Sequence, residues 1–465
     1  MFQKPLVITG LIWTCIPKIK LHLLIVISKN LAKTLLTTAI LLITGCGIAY
    51  CLNKTTHTGL ILVSALIIMA LAFRGFLQLK GFSYTIWILA AVTLAMFYPA
   101  YFVTIGSFQL KKVIVPFVQL TMFGMGAQMS FNDFKLVIKM PKGVLIGQGC
   151  HYVVMPLVGF TLSKIFSFPP EIAGGVVLIG CVPSATASNV MSYLAKANLA
   201  LAVTISACST ILSPFVTPFL MKLLGGEYVV VNVTKMMVDI ANMIIIPIIA
   251  GFIFNLFYFD NTKRRSKILQ LSVFAGIILI TNLLLYLFGN VSWNEFLISF
   301  FASFFWFYLL PMITATILNK QVRIKRVTIE NSLSFVALLG IVINTVVITA
   351  SGRDNLLQVG GLLIITCLLH NITGFAIGYT IARLSGLPER DRRTVAFEVG
   401  MQNGGVATGL ALQMGKVATV GLASAIFGPL QNVTGSALAN WFKNKRTNVT
   451  SVAFEKGKLL KEIAS

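Results

Sequence analysis

About 14 apolar segments, many long enough to cross a bilayer as a helix, run through this chain from residue 34 to residue 441. They fall at 34–52, 58–79, 83–105, 113–130, 142–166, 171–196, 199–222, 231–257, 268–289, 296–318, 332–350, 357–383, 391–415 and 418–441. A bilayer core about 30 Å thick takes about 20 helical residues to cross. In hydrocarbon every backbone polar group needs a partner inside the protein, so only helices and closed barrels span it. The alternating pattern of a barrel is absent. The sequence therefore predicts an all-α polytopic membrane protein with about 14 spans. Hydrophobic residues make up 57% of the 465 and charged residues 11%, leaving no soluble domain of useful size.

The 37 Lys and Arg exceed the 13 Asp and Glu, giving a net charge of +24. Such an excess can mark a nucleic-acid binder. Here the bases sit in short connections between apolar segments, where they face the lipid bilayer's headgroups, and no nucleic-acid partner is expected. With the N-terminus inside and the segments alternating, 29 of the 37 bases fall inside and 8 outside. That bias predicts a multi-pass protein of the cell (inner) membrane with both termini cytoplasmic. The seven cysteines form no CxxC pair. They read as small packing residues rather than a disulfide framework or a zinc site, and no cofactor is expected.

The order of segments predicts internal symmetry. Residues 83–226 hold one block of five spans. Residues 227–258, the first span of a second block, join 332–442, its other four. Blocks with an odd number of spans enter the membrane from opposite faces, which makes a 5+5 inverted-repeat core of ten spans. Residues 1–82 then form an N-terminal extension with two extra spans, 259–331 an inserted two-span hairpin, and 443–465 a cytoplasmic tail on the lipid surface.

Two segments are interrupted at corresponding places. Glu398-Val399-Gly400-Met401-Gln402-Asn403 puts a carboxylate, two carboxamides and a glycine in a buried helix. An ionisable group at that depth is costly, and function is its usual reason. Pro183-Ser184-Ala185-Thr186-Ala187-Ser188-Asn189 breaks the other. Pro183 has no N–H and clashes with the carbonyl four residues back, while Gly400, Gly404 and Gly405 loosen the later helix. A Pro kink among small residues also serves helix packing, and Glu398 alone also fits a structural ion pair. If the breaks cross, they join side-chain oxygens suited to a hard cation with two half-helix N-termini suited to an anion. Paired broken helices of this kind mark the binding sites of secondary transporters.

At these residues the chain resembles the bile acid:sodium symporter family, with extra N-terminal and internal spans. Also matching are Phe123-Gly124-Met125-Gly126, Gly180-Cys181-Val182-Pro183 running on through Thr186 to Met191, and Ser209-Thr210-Ile211-Leu212-Ser213-Pro214 with Thr217-Pro218. The resemblance covers about 83–257 and 332–441. It implies a core domain and a panel domain, two sodium sites behind the crossing, and elevator-like or rocking access for an organic acid.

Carried over by resemblance, the first sodium site takes Ser188, Asn189, Glu398 and Ser206, where the family commonly has threonine. Ala202 replaces a further family hydroxyl. The second takes Glu398, the Val399 and Met401 carbonyls and Gln402. A family glutamine aligns with His151, and Gln148, one turn earlier, is the substitute candidate. Thr186, Asn403 and Asn432 would face substrate. The implied function is sodium-coupled symport of an organic anion, bile acid-like or a small carboxylate, by alternating access, with sodium as coupling ion. His151 leaves open a proton-coupled or partly sodium-uncoupled carrier. From other classes, a membrane-embedded enzyme using Glu398 and His151, or a non-transporting sensor, are the rivals. No nucleophile, ligand set or cofactor motif accompanies those two residues, so no enzyme is expected.

Overall fold

The computed structural model describes residues 28–51, 58–76, 79, 82–129, 137–258, parts of 271–287, 292–318 and 326–445. The first 27 residues, the basic run at 263–267 and most of the 443–465 tail lie outside the described residues. The fold is all-α, with one small hairpin pairing Thr104–Ile105 and Phe108–Gln109.

Among the described residues helices fall on the apolar segments, that at 268–289 being described only in part. They are α1 Lys29–Cys51, α2 Thr58–Phe73, α3 Ser83–Phe97, α4 Ile114–Gly126 and α5 Pro141–Phe166. Then come α6 Pro170–Cys181, α7 Ala187–Leu194, α8 Leu199–Leu220, α9 Val233–Tyr258 and α10 Trp293–Phe304, which runs on to Ile317. The rest are α11 Arg326–Ser351, α12 Arg353–Leu384, α13 Glu389–Gly400, α14 Gly404–Gln413 and α15 Gly421–Asn444. Among the described residues, five helices are both long and apolar enough to cross a membrane by length and composition: α1, α5, α8 with its π-helical end, α9 and α12. The segments 171–196 and 391–415 are each split, into α6 and α7 and into α13 and α14.

The N-terminal pair α1 and α2 packs through small residues. Ala32, Ala39 and Cys46 recur every seven residues along one buried face of α1. Leu31, Ile40, Leu41 and Ile48 on its other faces are exposed, as lipid-facing side chains are. The Phe123–Gly126 motif has a direct packing reason. A Cβ on Gly126 would strike the Ile248 carbonyl, and one on Gly251 would strike the Phe123 carbonyl. Only glycine lets α4 and α9 approach that closely.

The largest buried apolar cluster passes through α5, α6, α8, α13 and α15, with Met155, Val176, Ile205, Val399 and Phe427 among its members. The prolines of α8 are accommodated locally. Pro214 offers no N–H to the Thr210 carbonyl, and Ser213 Oγ donates to that oxygen at 2.7 Å instead. The two broken helices lie in this cluster, wholly buried from Ile172 to Ala185 and from Arg393 to Asn403.

Candidate ion-binding site

The two breaks meet. Ser184 and Gln402 form an antiparallel bridge. The Asn403 N–H donates to the Pro183 carbonyl at 2.9 Å, and the Ala185 N–H to the Met401 carbonyl at 3.1 Å. Irregular backbone at membrane depth is stable only if each released group finds a partner. Several partners are specific to this crossing. In an unbroken helix the Cys181 carbonyl would accept from Ala185; Thr217 Oγ1 takes its place at 2.7 Å. The Gln402 N–H donates to Gln431 Oε1 at 2.7 Å, and Gln431 Nε2 donates to the Gln402 carbonyl at 2.9 Å. One carboxamide thus pairs both sides of a residue, as a neighbouring strand would. Asn371 Nδ2 donates to the Gly400 carbonyl at 2.8 Å, and its Oδ1 accepts from Thr434 Oγ1.

The crossing aims two half-helices at one place, because α7 and α14 both begin there. Behind it lies Glu398, fully buried. Its Oε1 accepts from Ser188 Oγ at 2.6 Å. Its Oε2 accepts from Ser184 Oγ at 2.7 Å and Ser206 Oγ at 2.8 Å. Ser206 Oγ also lies 3.4 Å from Asn189 Oδ1. The structure therefore brings Ser188, Asn189, Ser206 and Glu398 together from α7, α8 and α13. Ala202, one turn before Ser206, is buried and supplies no side-chain oxygen. Among the described residues no group of three or more His, Cys, Asp and Glu comes together. This donor set, one carboxylate with hydroxyls and an amide, suits a hard cation.

The residues of the expected second sodium site are arranged differently. His151 is fully buried. Its Nδ1 lies 3.0 Å from the Glu398 carbonyl and its Nε2 3.0 Å from the Val182 carbonyl. The imidazole thus joins the two breaks, and it meets Glu398 through the main chain rather than the carboxylate. The Val399 carbonyl accepts from Gln402 Nε2 at 2.9 Å. The Met401 carbonyl is already held by Ala185. Gln402 Oε1 is buried without a hydrogen-bond partner among the described residues. Gln148 Nε2 donates to the Ile205 carbonyl at 2.6 Å, and its buried Oε1 likewise lacks a partner there.

Of the expected substrate-facing residues, Asn403 caps α14, its Oδ1 accepting from the Val406 N–H at 3.2 Å. Thr186 precedes α7 without a side-chain cap, and Asn432 is half-buried. Thr186 and Asn403 lie at the crossing and Asn432 follows Gln431, which contacts it; the three make no hydrogen bond to one another among the described residues.

Sequence reasoning misses Gln431, whose signal was a buried carboxamide beside the chosen Asn432. A Gln431→Leu variant would strand the Gln402 N–H and C=O, at about 1–3 kcal/mol for each unpaired group. Expected is a lower melting temperature in detergent than wild type; unchanged melting would show the pairing to be dispensable. Arg393 is buried in the same assembly, at 1% exposure. Its guanidinium donates to Glu389 Oε1 at 2.8 Å, the Ala195 carbonyl at 3.1 Å and the Phe442 carbonyl at 2.9 Å. It ties the start of α13 to the ends of α7 and α15.

A polytopic helical membrane protein with two unwound helices laced together over a buried carboxylate has the architecture of a secondary transporter. The chain belongs to the sodium bile acid symporter family. That family's sequence profile matches residues 115–295. The uncharacterized sodium-dependent transporter YocS of Bacillus subtilis is 32% identical over 365 residues, 78% of this chain and 92% of that protein. The probable sodium/metabolite cotransporter BASS1, chloroplastic, of Arabidopsis thaliana is 27% identical over 322 residues, covering 69% of this chain and 64% of the relative. The human ileal sodium/bile acid cotransporter is 28% identical over 305 residues, covering 65% of this chain and 69% of the relative. This is thus a multi-pass membrane protein of a sodium-dependent transporter family.

Proposed function

We propose that this protein is a secondary active transporter that couples sodium flow to symport of an organic anion by alternating access, and that it catalyses no reaction. The observation that carries the reading is the crossing itself. It joins one buried carboxylate and its hydroxyls, suited to sodium, with two half-helix N-termini, each equivalent to about half a positive charge, suited to a carboxylate substrate. Glu398, Ser188, Asn189 and Ser206 are the sodium ligands in this reading, and Thr186, Asn403 and Asn432 contact substrate. The substrate is a bile acid-like anion or a small carboxylate. The relatives named as cotransporters of sodium with bile acid or metabolites support that class.

In the same reading 83–226 and 227–258 with 332–442 are the two inverted repeats of a ten-span core within about 14 spans, each repeat broken in its fourth span. Residues 1–82 and 259–331 are additions to that core. The protein lies in the cell membrane with both termini cytoplasmic. Sealed vesicles test the function. An inward sodium gradient should drive uptake of a labelled carboxylate from a screened set, and dissipating the gradient should stop it. Product formation by purified protein without vesicles would favour an enzyme; sodium-dependent stabilisation without flux would favour a sensor.

The stoichiometry of this reading is one sodium per cycle. His151 faces the Glu398 carbonyl, protein donors already engage the Val399 and Met401 carbonyls, and Gln402 Oε1 is the one side-chain acceptor of the second set without a partner among the described residues. Uptake measured against sodium at about pH 6 and about pH 8 should give a Hill coefficient near one at both. A coefficient near two would overturn the single-sodium stoichiometry and leave symport standing.

A further inference from the structure

We infer that Ser184 is a ligand of the coupling sodium ion, a fifth oxygen donor beside Glu398, Ser188, Asn189 and Ser206. This deepens the symporter reading and rests on it. Ser184 sits in the unwound stretch, 2% exposed. Its backbone is fixed on every side. Its N–H lies 3.3 Å from Ser209 Oγ, and its neighbours Pro183 and Ala185 make the two hydrogen bonds of the bridge. A side chain on so constrained a backbone points where it is held, and this one points at the ion site. Its Oγ is 2.7 Å from Glu398 Oε2 and 3.5 Å from Ser188 Oγ.

Two functions compete for that hydroxyl. It either satisfies the buried carboxylate alone or also turns its lone pairs to a cation. The spacing of the oxygens favours the second. For a hard cation held by oxygens at about 2.3–2.6 Å, adjacent ligands lie about 3.3–3.7 Å apart. Ser184 Oγ to Ser188 Oγ, at 3.5 Å, fits that edge, as does Ser206 Oγ to Asn189 Oδ1 at 3.4 Å. The four side chains other than Glu398 thus form two such edges, and the single carboxylate between them balances one monovalent charge. Oxygens from the unwound stretch and from the helix after it, Ser184 before α7 and Ser188 within it, would close around one ion. Hydroxyl hydrogens that face Glu398 would turn outward as the ion takes their place, and the serine–carboxylate contacts, now 2.6–2.8 Å, would open to admit it.

The two roles predict opposite signs. A hydroxyl whose bond to the carboxylate is given up when sodium binds stabilises only the sodium-free protein, so removing it leaves sodium affinity unchanged or tighter. A ligand's removal weakens it. The test is thermal melting of purified full-length protein in detergent, titrated with sodium chloride against choline chloride at constant ionic strength. For Ser184→Ala the sodium concentration giving half-maximal stabilisation should rise about tenfold, a loss of about 1.4 kcal/mol in binding. Ser184→Cys, which keeps size but offers soft sulfur, should shift the same way, and covers the case in which the alanine variant does not fold. Variants that melt with the wild-type sodium dependence, or a tighter one, would overturn the assignment and leave the symporter standing. A wild-type protein with no sodium-dependent stabilisation would overturn both.

Discussion

Glu398→Ala abolishes sodium-dependent stabilisation while the protein remains inserted and folded: this is the largest functional effect expected of any substitution here. Glu398 is the one carboxylate of the site, and three serine hydroxyls converge on it. Without it a cation would be desolvated with only neutral oxygens to meet it, which buried charges do not tolerate. Sodium at about 100 times its dissociation constant stabilises a native state by about 2.7 kcal/mol, and that increment should vanish. Glu398→Gln separates charge from shape, since a carboxamide keeps an acceptor for the serines. It should behave like alanine in sodium. The measurement is the melting shift between sodium and choline chloride, with detergent-extracted yield as the check on insertion. Full retention of the shift in either variant would refute the ion-binding role.

The largest expected structural effect belongs to Arg393. Its side chain is 1% exposed and its donors reach Glu389, Ala195 and Phe442. The guanidinium also lies over the Phe442 ring, 5.0 Å from its centroid. Arg393→Ala strips the Ala195 carbonyl of its guanidinium donor, leaves the Phe442 carbonyl only the Lys445 N–H, and opens a cavity beside them. Hydrogen bonds to charged groups are worth about 1.5–3 kcal/mol each, so a loss of about 3 kcal/mol or more is expected. Arg393→Lys should recover only part, because an ammonium cannot reproduce the planar fork. Melting in choline chloride reads this without involving the ion site. An alanine variant that melts like wild type would show the clamp to be ornamental.

The two predictions draw on features that the sequence exposed unequally. The breaks were readable because they violate their surroundings. Pro183 and the glycines around Gln402 interrupt long apolar stretches, and Glu398 is a charge where none is cheap. Family resemblance then supplied Ser188, Asn189 and Ser206, which the fold brings to the carboxylate from 210 or fewer residues away. What periodicity could not supply was which atom of a residue does the work. His151 reads as a neighbour of a carboxylate, yet it contacts a main-chain oxygen, because the unwinding at Gln402 leaves that carbonyl without its helical donor. Gln431 lies 29 residues beyond the group it pairs with, on a helix whose pattern gives no hint of the contact. Arg393 stands in sequence beside Arg390 and Arg392, and nothing in that run singles it out. Its burial follows from the ends of α7 and α15 closing over it, a matter of tertiary packing alone.

The lacing of the two unwound strands limits how any cargo could change sides. Parting them would break the Pro183–Asn403 and Ala185–Met401 bonds, loosen the His151 crosspiece and strand amides in oil all at once. The cheaper route keeps the knot tied and shifts it bodily against its surroundings. A cysteine cross-link joining α7 to α14 should then be harmless to turnover, whereas one pinning the knot to α4 should arrest it.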